Sequence, residues 1–417
     1  MIINKFGGAS VKDAASIKQM ANICKSQINC GIIVVSAMGK TTNSLEKITD
    51  QFFSGLPTEP LVQNLFEYYN KILTELFDRK HKIFIELKIY FEQLSAVLNR
   101  KQGLNFDFEY DQIVSFGEII STKIISEYLN SINYTVVWKD IRNSLKTDST
   151  YREGNIDWEL SINLIQQEFV GLDNKVYLTQ GFIGIDINNL STTLGREGSD
   201  YTAAVLANVL DAEKVVVWKD VPGILCADPA WMPNTNKLDE ISYLEAIELT
   251  FFGAKVIHPK TIKPLQNKNI PLQVRSFIDT NNQGTLINYT GKIALPPVYI
   301  KKENQVLITI KSLDFSFIAE ENLSVIFRIF AENQVKVNVM QNSAISFTVA
   351  VDGEIDRVKS AIRELKRKFD VKYNDNLELI SIRHTTNEAE QKVITGRKLM
   401  LEQRSRSTVR FVVKIEN

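Results

Sequence analysis

The sequence predicts an α/β sandwich with an inserted helical hairpin, followed by a ferredoxin-like βαββαβ unit and a second, truncated unit of the same kind. Three observations carry this. From Ile2 to about Tyr289, short Val/Ile-rich runs alternate with amphipathic stretches, as strands and helices do in a layered sheet. Residues 61–100 break the alternation with apolar positions at helical spacing. Beyond a Gly/Pro-enriched stretch at 291–297, the order of signals becomes βαββαβ.

The first helix is read over Val11–Gln27, where Val11, Ala14, Ala15, Ile17, Met20, Ala21 and Cys24 stand at helical spacing. Buried parallel strands are expected at Gly31–Val35, Tyr134–Trp138, Val176–Leu178, Val215–Trp218 and Pro271–Val274. Each is a short, continuous apolar run of the kind buried on both faces. In the hairpin, Leu65, Phe66, Tyr69, Ile72, Leu73, Leu76 and then Ile83, Ile85, Leu87, Ile89, Phe91, Leu94, Val97 and Leu98 predict two helices, which suit either plain scaffold or a lid over the sheet. The later unit reads as strand 306–310, helix 323–334, strands 335–340 and 345–351, helix 355–369 and strand 371–374. A further strand at 377–383, a helix at 387–395 and strands at 398–403 and 408–414 stop one helix and one strand short of a second unit. The expected domains are therefore 1–290 with its insert at about 58–110, a linker at 291–303, and units at 304–375 and 376–417.

Composition narrows the function classes. The 417 residues hold 49 Lys+Arg and 49 Asp+Glu, so no basic surplus exists to neutralise a nucleic-acid backbone. Three cysteines without a CxxC pair suit neither a disulfide framework nor a zinc finger, and point to a reducing cytoplasm. Apolar runs such as Val215–Trp218 fall far short of the ~18 residues that span a bilayer, so no membrane association is expected.

Five segments carry chemistry. Lys5-Phe6-Gly7-Gly8-Ala9-Ser10 joins a strand to a helix start, where two glycines allow close ligand approach and helix-end amides attract anions. Thr193-Leu194-Gly195-Arg196-Glu197-Gly198-Ser199-Asp200 is a second such loop; Arg196 can grip a carboxylate at two points, and Ser199 or Asp200 could equally be a plain helix cap. Trp218-Lys219-Asp220-Val221-Pro222-Gly223 ends a strand, the place where open α/β sheets bind ligands. Gly253-Ala254-Lys255-Val256-Ile257-His258-Pro259 offers Lys255 to phosphates, with His258 read as structural. Ser115-Phe116-Gly117-Glu118 puts a carboxylate within a helix.

Together these segments resemble the aspartate kinases of the amino-acid kinase superfamily. Lys5–Val11 is similar to the family's KFGGTSV, Ser115–Glu118 to SFGE, Gly195–Thr202 to GRGGSDYTA, and Gly253–Pro259 to GAKVxHP. The later βαββαβ unit resembles an ACT domain. The resemblance implies ATP-dependent phosphorylation of the side-chain carboxylate of L-aspartate, with Mg²⁺ carried on the ATP phosphates and no metal ligands assigned to the protein. It implies Lys5, Gly8 and Asp200 at the transferring phosphoryl group. Ser36, Thr42, Glu118, Arg196 and Ser199 would line the aspartate site, Glu118 holding the ammonium and Arg196 the α-carboxylate. Lys5, Gly7, Gly8, Ser10, Lys219, Asp220 and Lys255 would face ATP. Asn338, Asn342 and Ser343 would be open to an amino-acid effector, or the ACT units would serve dimerisation only, in a chain that pairs through them as a homodimer or larger homo-oligomer. Departures from the family pattern are Ala9 for Thr, Lys219 for Thr, Leu225 for Tyr and Ala230 for Arg. Two other readings are an acetylglutamate-type acylphosphate-forming kinase, which would have no use for a carboxylate facing an ammonium, and a degenerate kinase kept as an amino-acid sensor.

Overall fold

The computed structural model describes residues 1–417 except 28, 104, 172–174, 255–256, 290–293, 315 and 416–417. The chain divides into two compact units. One comprises Met1–Ile224, Lys237–Ile247 and Lys255–Ile293; the other comprises Leu225–Asn236, Glu248–Ala254 and Ala294–Asn417.

In chain order the first unit begins with β1 (Ile2–Phe6), α1 (Ala14–Ser26), β2 (Cys30–Val35), α2 (Thr41–Phe53), α3 (Glu59–Leu76), α4 (Ile83–Leu98) and α5 (Phe106–Ser131). It continues with β3 (Val137–Lys139), α6 (Trp158–Glu168), β4 (Tyr177–Gln180), β5 (Ile183–Ile185), β6 (Ser191–Thr193), α7 (Gly198–Val209) and β7 (Lys214–Lys219). β8 (Glu240–Ser242), α8 (Tyr243–Phe252, whose residues from Glu248 on belong to the second unit), α9 (Pro259–Asn267), β9 (Leu272–Ser276) and β10 (Thr285–Asn288) follow. Eight strands form one sheet in the order β3-β4-β2-β1-β7-β9-β10-β8, with β1 and β7 near its middle. Every pairing is parallel except β9 with β10. Strands β1, β2 and β7 are buried almost throughout, which is why their sequences read as unbroken apolar runs.

Two expected elements begin later than their periodicity suggests. The helix read from Val11 starts as a short 3₁₀ turn at Gly8–Val11, and α1 proper begins after Asp13, whose side chain accepts from the Ser16 N–H at 2.7 Å. The strand read from Tyr134 is only Val137–Lys139, because the Tyr134 N–H is still closing the end of α5 on the Leu129 carbonyl (3.0 Å). The hairpin helices α3 and α4 are scaffold. Leu65, Tyr69, Ile72 and Leu73 of α3 and Leu87, Phe91 and Leu94 of α4 share one buried core with α1, α2, α5 and the sheet. Phe91 meets Phe66 and Tyr69 edge-on.

The second unit carries β11 (Val298–Lys311), α10 (Glu320–Glu332), β12 (Val337–Asn342), β13 (Ser346–Asp352), α11 (Ile355–Leu365), β14 (Asp370–Arg383), α12 (Asn387–Ile394), β15 (Arg397–Arg404) and β16 (Thr408–Ile415). These strands make one antiparallel sheet, ordered β12-β13-β11-β14-β16-β15. Residues 298–303, read above as linker, form the first half of β11, because Val298 and Ile300 alternate inward and pair with Arg383 and Ser381. The expected boundary at 375/376 likewise falls inside β14, whose two halves belong to the two βα patterns. Ile326, Ile329 and Phe330 of α10 and Ala361, Ile362 and Leu365 of α11 cover one part of the sheet. Ala389 and Val393 of α12 cover another. No helix among the described residues is long and apolar enough to cross a membrane.

Candidate active site

The carboxyl ends of β1, β2, β4 and β7 converge where an open parallel sheet leaves a crevice. Lys5, next to last in β1, projects there and is almost fully buried. The turn after it must be glycine. A Cβ added to Gly8 would lie 2.7 Å from the Ala37 carbonyl oxygen and 2.8 Å from that of Gly39. The Gly39 N–H instead donates to the Gly8 carbonyl at 2.9 Å, locking the loops after β1 and β2 together. That contact brings Ser36 and Thr42 beside Lys5.

α7 enters the crevice N-terminus first. Gly181 permits this, since a Cβ there would sit 2.6 Å from Ser199 Cα. Asp200, in the first turn of α7, does not cap the helix. Its Oδ1 lies 2.7 Å from Lys5 Nζ and its Oδ2 3.3 Å from Lys219 Nζ. Burial alone would raise its pKa, but the two lysines outweigh burial and hold Asp200 below the ordinary carboxylate range. Burial likewise works against the charged form of Lys219, and Asp200 and Glu197 outweigh it, keeping that amine protonated.

Glu118 comes from α5, which at Gly117 packs closely on α2 and the loop after β2, where an added Cβ would lie 3.1 Å from Leu45 and from Ala37. Its Oε1 accepts from the Ala37 N–H at 3.3 Å, while Oε2 is buried without a hydrogen-bond partner. Burial pushes its pKa up to about 8, against the smaller pull of the Ala37 amide and Lys5. A buried carboxylate oxygen with an open coordination is a ready partner for an ammonium group.

These groups line one cavity of about 570 Å³, together with Arg196 and Ser199. That is large enough for a small-molecule substrate. The structure therefore gathers Lys5, Ser36, Thr42, Glu118, Arg196, Ser199, Asp200 and Lys219 from the expected set. Gly7, Gly8 and Ser10 shape its edge without lining it; the Ser10 hydroxyl is buried and donates to the Trp218 carbonyl at 3.4 Å. Asp220 is exposed and outside the lining. Lys255 lies outside the described residues. His258 caps α9, accepting from the Lys260 N–H at 3.2 Å. In the second unit, the Asn338 amide is spent on internal bonds: it donates to Asp352 (2.7 Å) and Gln305 (2.9 Å) and accepts from Lys302 (2.8 Å). The Ser343 hydroxyl pairs with that of Ser346 at 2.7 Å, and Asn342 ends the edge strand β12.

Sequence reasoning missed Arg152, Glu46 and Tyr110, which line the same cavity. The Arg152 guanidinium stacks 4.3 Å over the Tyr110 ring and reaches within 3.6 Å of Glu46. Its backbone N–H donates to Asp111 at 2.9 Å; Asp111 also accepts from the N–H and hydroxyl of Thr193 at 2.8 and 2.7 Å. Burial pushes Asp111 up to about 6. Arg152 sits in a turn with neither helical nor strand periodicity, so only its charge marked it.

Two lysines around a buried aspartate, glycine turns at a helix N-terminus and a separate carboxylate-arginine pair define a kinase that acts on a small charged acceptor. The sequence profile of the amino acid kinase family matches residues 1–276. Lysine-sensitive aspartokinase 3 of Escherichia coli K12 is 30% identical over 399 residues, covering 92% of this chain and 86% of that protein. Two structures of E. coli aspartokinase III, one with lysine and aspartate and one with aspartate and ADP, each match at 28% identity and TM-score 0.83, over 99% of this chain and 96% of theirs. The chain belongs to the amino acid kinase family and, within it, to the aspartokinases, which catalyse the first step of the aspartate-derived amino-acid pathway. The six-stranded antiparallel sheet is consistent with the ACT units of such enzymes, and neither alternative reading is favoured.

Proposed function

We propose that the cavity binds ATP and L-aspartate side by side and moves the γ-phosphoryl group to an aspartate side-chain oxygen. The bond from Pγ to the bridging oxygen breaks, a bond from Pγ to the carboxylate oxygen forms, and ADP leaves. The acceptor is already an anion, so no general base is required; alignment and charge neutralisation carry the reaction. Lys5 and Lys219 place positive charge at the phosphates, with Gly7, Gly8 and Ser10 shaping the turn beneath them. Asp200 orients both lysines. Glu118 takes the aspartate ammonium and Arg196 its α-carboxylate, with Ser36, Thr42 and Ser199 around the substrate. Asp220 and Lys255 are assigned to the nucleotide side on the resemblance alone.

The observation that supports this reading best is the buried, half-partnered Glu118 in the same cavity as the Lys5–Asp200 pair. Among the described residues no cluster of three or more His, Cys, Asp or Glu could hold a metal, and Asp200 is already shared by two lysines. Mg²⁺ fits this site as an ion brought on the nucleotide phosphates, where it would supply further charge neutralisation. We assign residues 1–290 to catalysis and the later units to ACT-type regulation and homodimer formation. With the Asn338 amide internally engaged, an amino-acid effector would rely on Asn342, Ser343 and backbone groups. The free, buried Cys24, Cys30 and Cys226 suit a cytoplasmic enzyme.

Trapping with hydroxylamine in the presence of ATP and aspartate tests the reaction: aspartyl hydroxamate is expected, and none with N-acetylglutamate. Absence of hydroxamate with aspartate refutes it. Adding lysine, threonine or methionine to the same assay tests the regulatory assignment; loss of activity with one of them is expected.

A further inference from the structure

Four charged side chains alternate in sign across the cavity. Lys5 Nζ lies 2.7 Å from Asp200 Oδ1, Asp200 Oδ2 lies 3.3 Å from Lys219 Nζ, and Lys219 Nζ lies 3.8 Å from Glu197 Oε2. The first three have roles in the reaction above, and Glu197 has none.

Glu197 is nevertheless held in place at a cost. As the residue before α7 it adopts the left-handed conformation, φ 54° and ψ 29°, which disfavours a Glu by roughly 1 kcal/mol or more. Its Oε2 is buried without a hydrogen bond. A Glu on a loop normally turns its carboxylate out to water; this one points inward, toward Lys219. Burial raises its pKa, and Lys219 gives the largest opposing pull.

Asp200 is the nearer of the two carboxylates to Lys219 and is also paired with Lys5, so Glu197 supplies the second, opposing attraction on the Lys219 amine. Without the Glu197 charge that attraction is lost, and Lys219 would close further on Asp200 and compete with Lys5 for it. We propose that Glu197 is a positioning residue for phosphoryl transfer: it shares Lys219 with Asp200, so that the amine is held between the two carboxylates, does not draw Asp200 from Lys5, and presents its charge to nucleotide phosphates. This rests on the reading that the cavity takes a nucleoside triphosphate. It makes Glu197 and Lys219 a couple, so that neither substitution has its full meaning alone.

A double-mutant cycle on the full chain tests the couple, with ADP binding by calorimetry and steady-state kinetics as readouts. Lys219→Met is expected to weaken ADP binding about tenfold, the loss of one charge-assisted contact, and to leave KM for aspartate unchanged. Glu197→Gln is expected to lower kcat about fivefold, less than the loss of a direct phosphate contact. The double variant should match Lys219→Met in both readouts, because Glu197 acts only through Lys219. Losses that multiply in the double variant, or wild-type kcat and ADP affinity in Glu197→Gln, overturn the proposal. If the Gln variant does not fold, Glu197→Gly replaces it, since glycine adopts this φ freely. A higher melting temperature with a lower kcat is then expected, whereas a purely structural Glu would lower the melting temperature. A wild-type chain that forms no aspartyl hydroxamate refutes the kinase reading itself; an active wild type with an additive cycle refutes only the positioning role.

Discussion

Glu118 should make aspartate binding pH-dependent. Burial pushes its pKa up to about 8 against the pull of a single Ala37 amide hydrogen bond and Lys5, and Oε2 is left without a hydrogen-bond partner. The aspartate ammonium pairs only with the ionised form. At pH 7, one unit below that pKa, about one copy in eleven is ionised, so apparent affinity is about tenfold, or ~1.4 kcal/mol, below its value with Glu118 fully ionised. Binding at pH 7 should therefore release about 0.9 proton per aspartate. Isothermal titration in buffers of different ionisation enthalpy reads that number directly, and log Kd should fall with a slope near one between pH 6 and 7. Glu118→Gln removes both effects and weakens binding. The stability consequence has a definite sign. Between the ordinary 4.5 and about 8, the folded protein keeps a proton that the unfolded chain has lost, so stability falls as pH rises through that window. At pH 7 the cost is roughly 3 kcal/mol, and Glu118→Gln should raise the melting temperature while it impairs substrate binding. A wild-type Kd that is flat from pH 6 to 8, with no proton release, would refute the reasoning.

Three other outcomes follow from the same cavity. Lys5→Ala should lower turnover about a hundredfold or more, because a positioned charge is lost and Asp200 loses its nearer lysine; near-wild-type kcat would remove Lys5 from the chemistry. Arg196→Ala should raise KM for aspartate about tenfold with kcat less affected, and an unchanged KM would exclude Arg196 from the substrate site. Gly8→Ala should destabilise the protein by ~2 kcal/mol and lower kcat as well, since the new Cβ would meet two carbonyl oxygens at under 3 Å; a thermal melt and a rate measurement check it.

Much of this enzyme is readable from local signals. Unbroken apolar runs identify β1, β2 and β7 because those strands are covered on both faces, and helical spacing identifies α3 and α4 because one side of each is buried. The glycine-bearing loops mark Lys5, Arg196 and Asp200 because close backbone approach demands glycine at fixed offsets. Local signals fail where a residue's surroundings come from far along the chain. Residues 298–303 read as linker from their neighbours, yet they form strand through pairing with 379–383, some eighty positions away. Arg152 carries no periodic signal, and its place in the cavity depends on Asp111 and Tyr110 of α5.

Sequence alone determined the order of elements, the positions of the loops and the charged side chains at their ends, since these depend on interactions within a few residues. Tertiary structure decided what those charges are worth. It set Asp200 between two lysines, left one oxygen of Glu118 unpartnered, spent the Asn338 amide on its own sheet and turned Glu197 inward toward Lys219. Burial and through-space Coulomb interactions fix these states, and both depend on distances between groups up to two hundred residues apart, which no local pattern records.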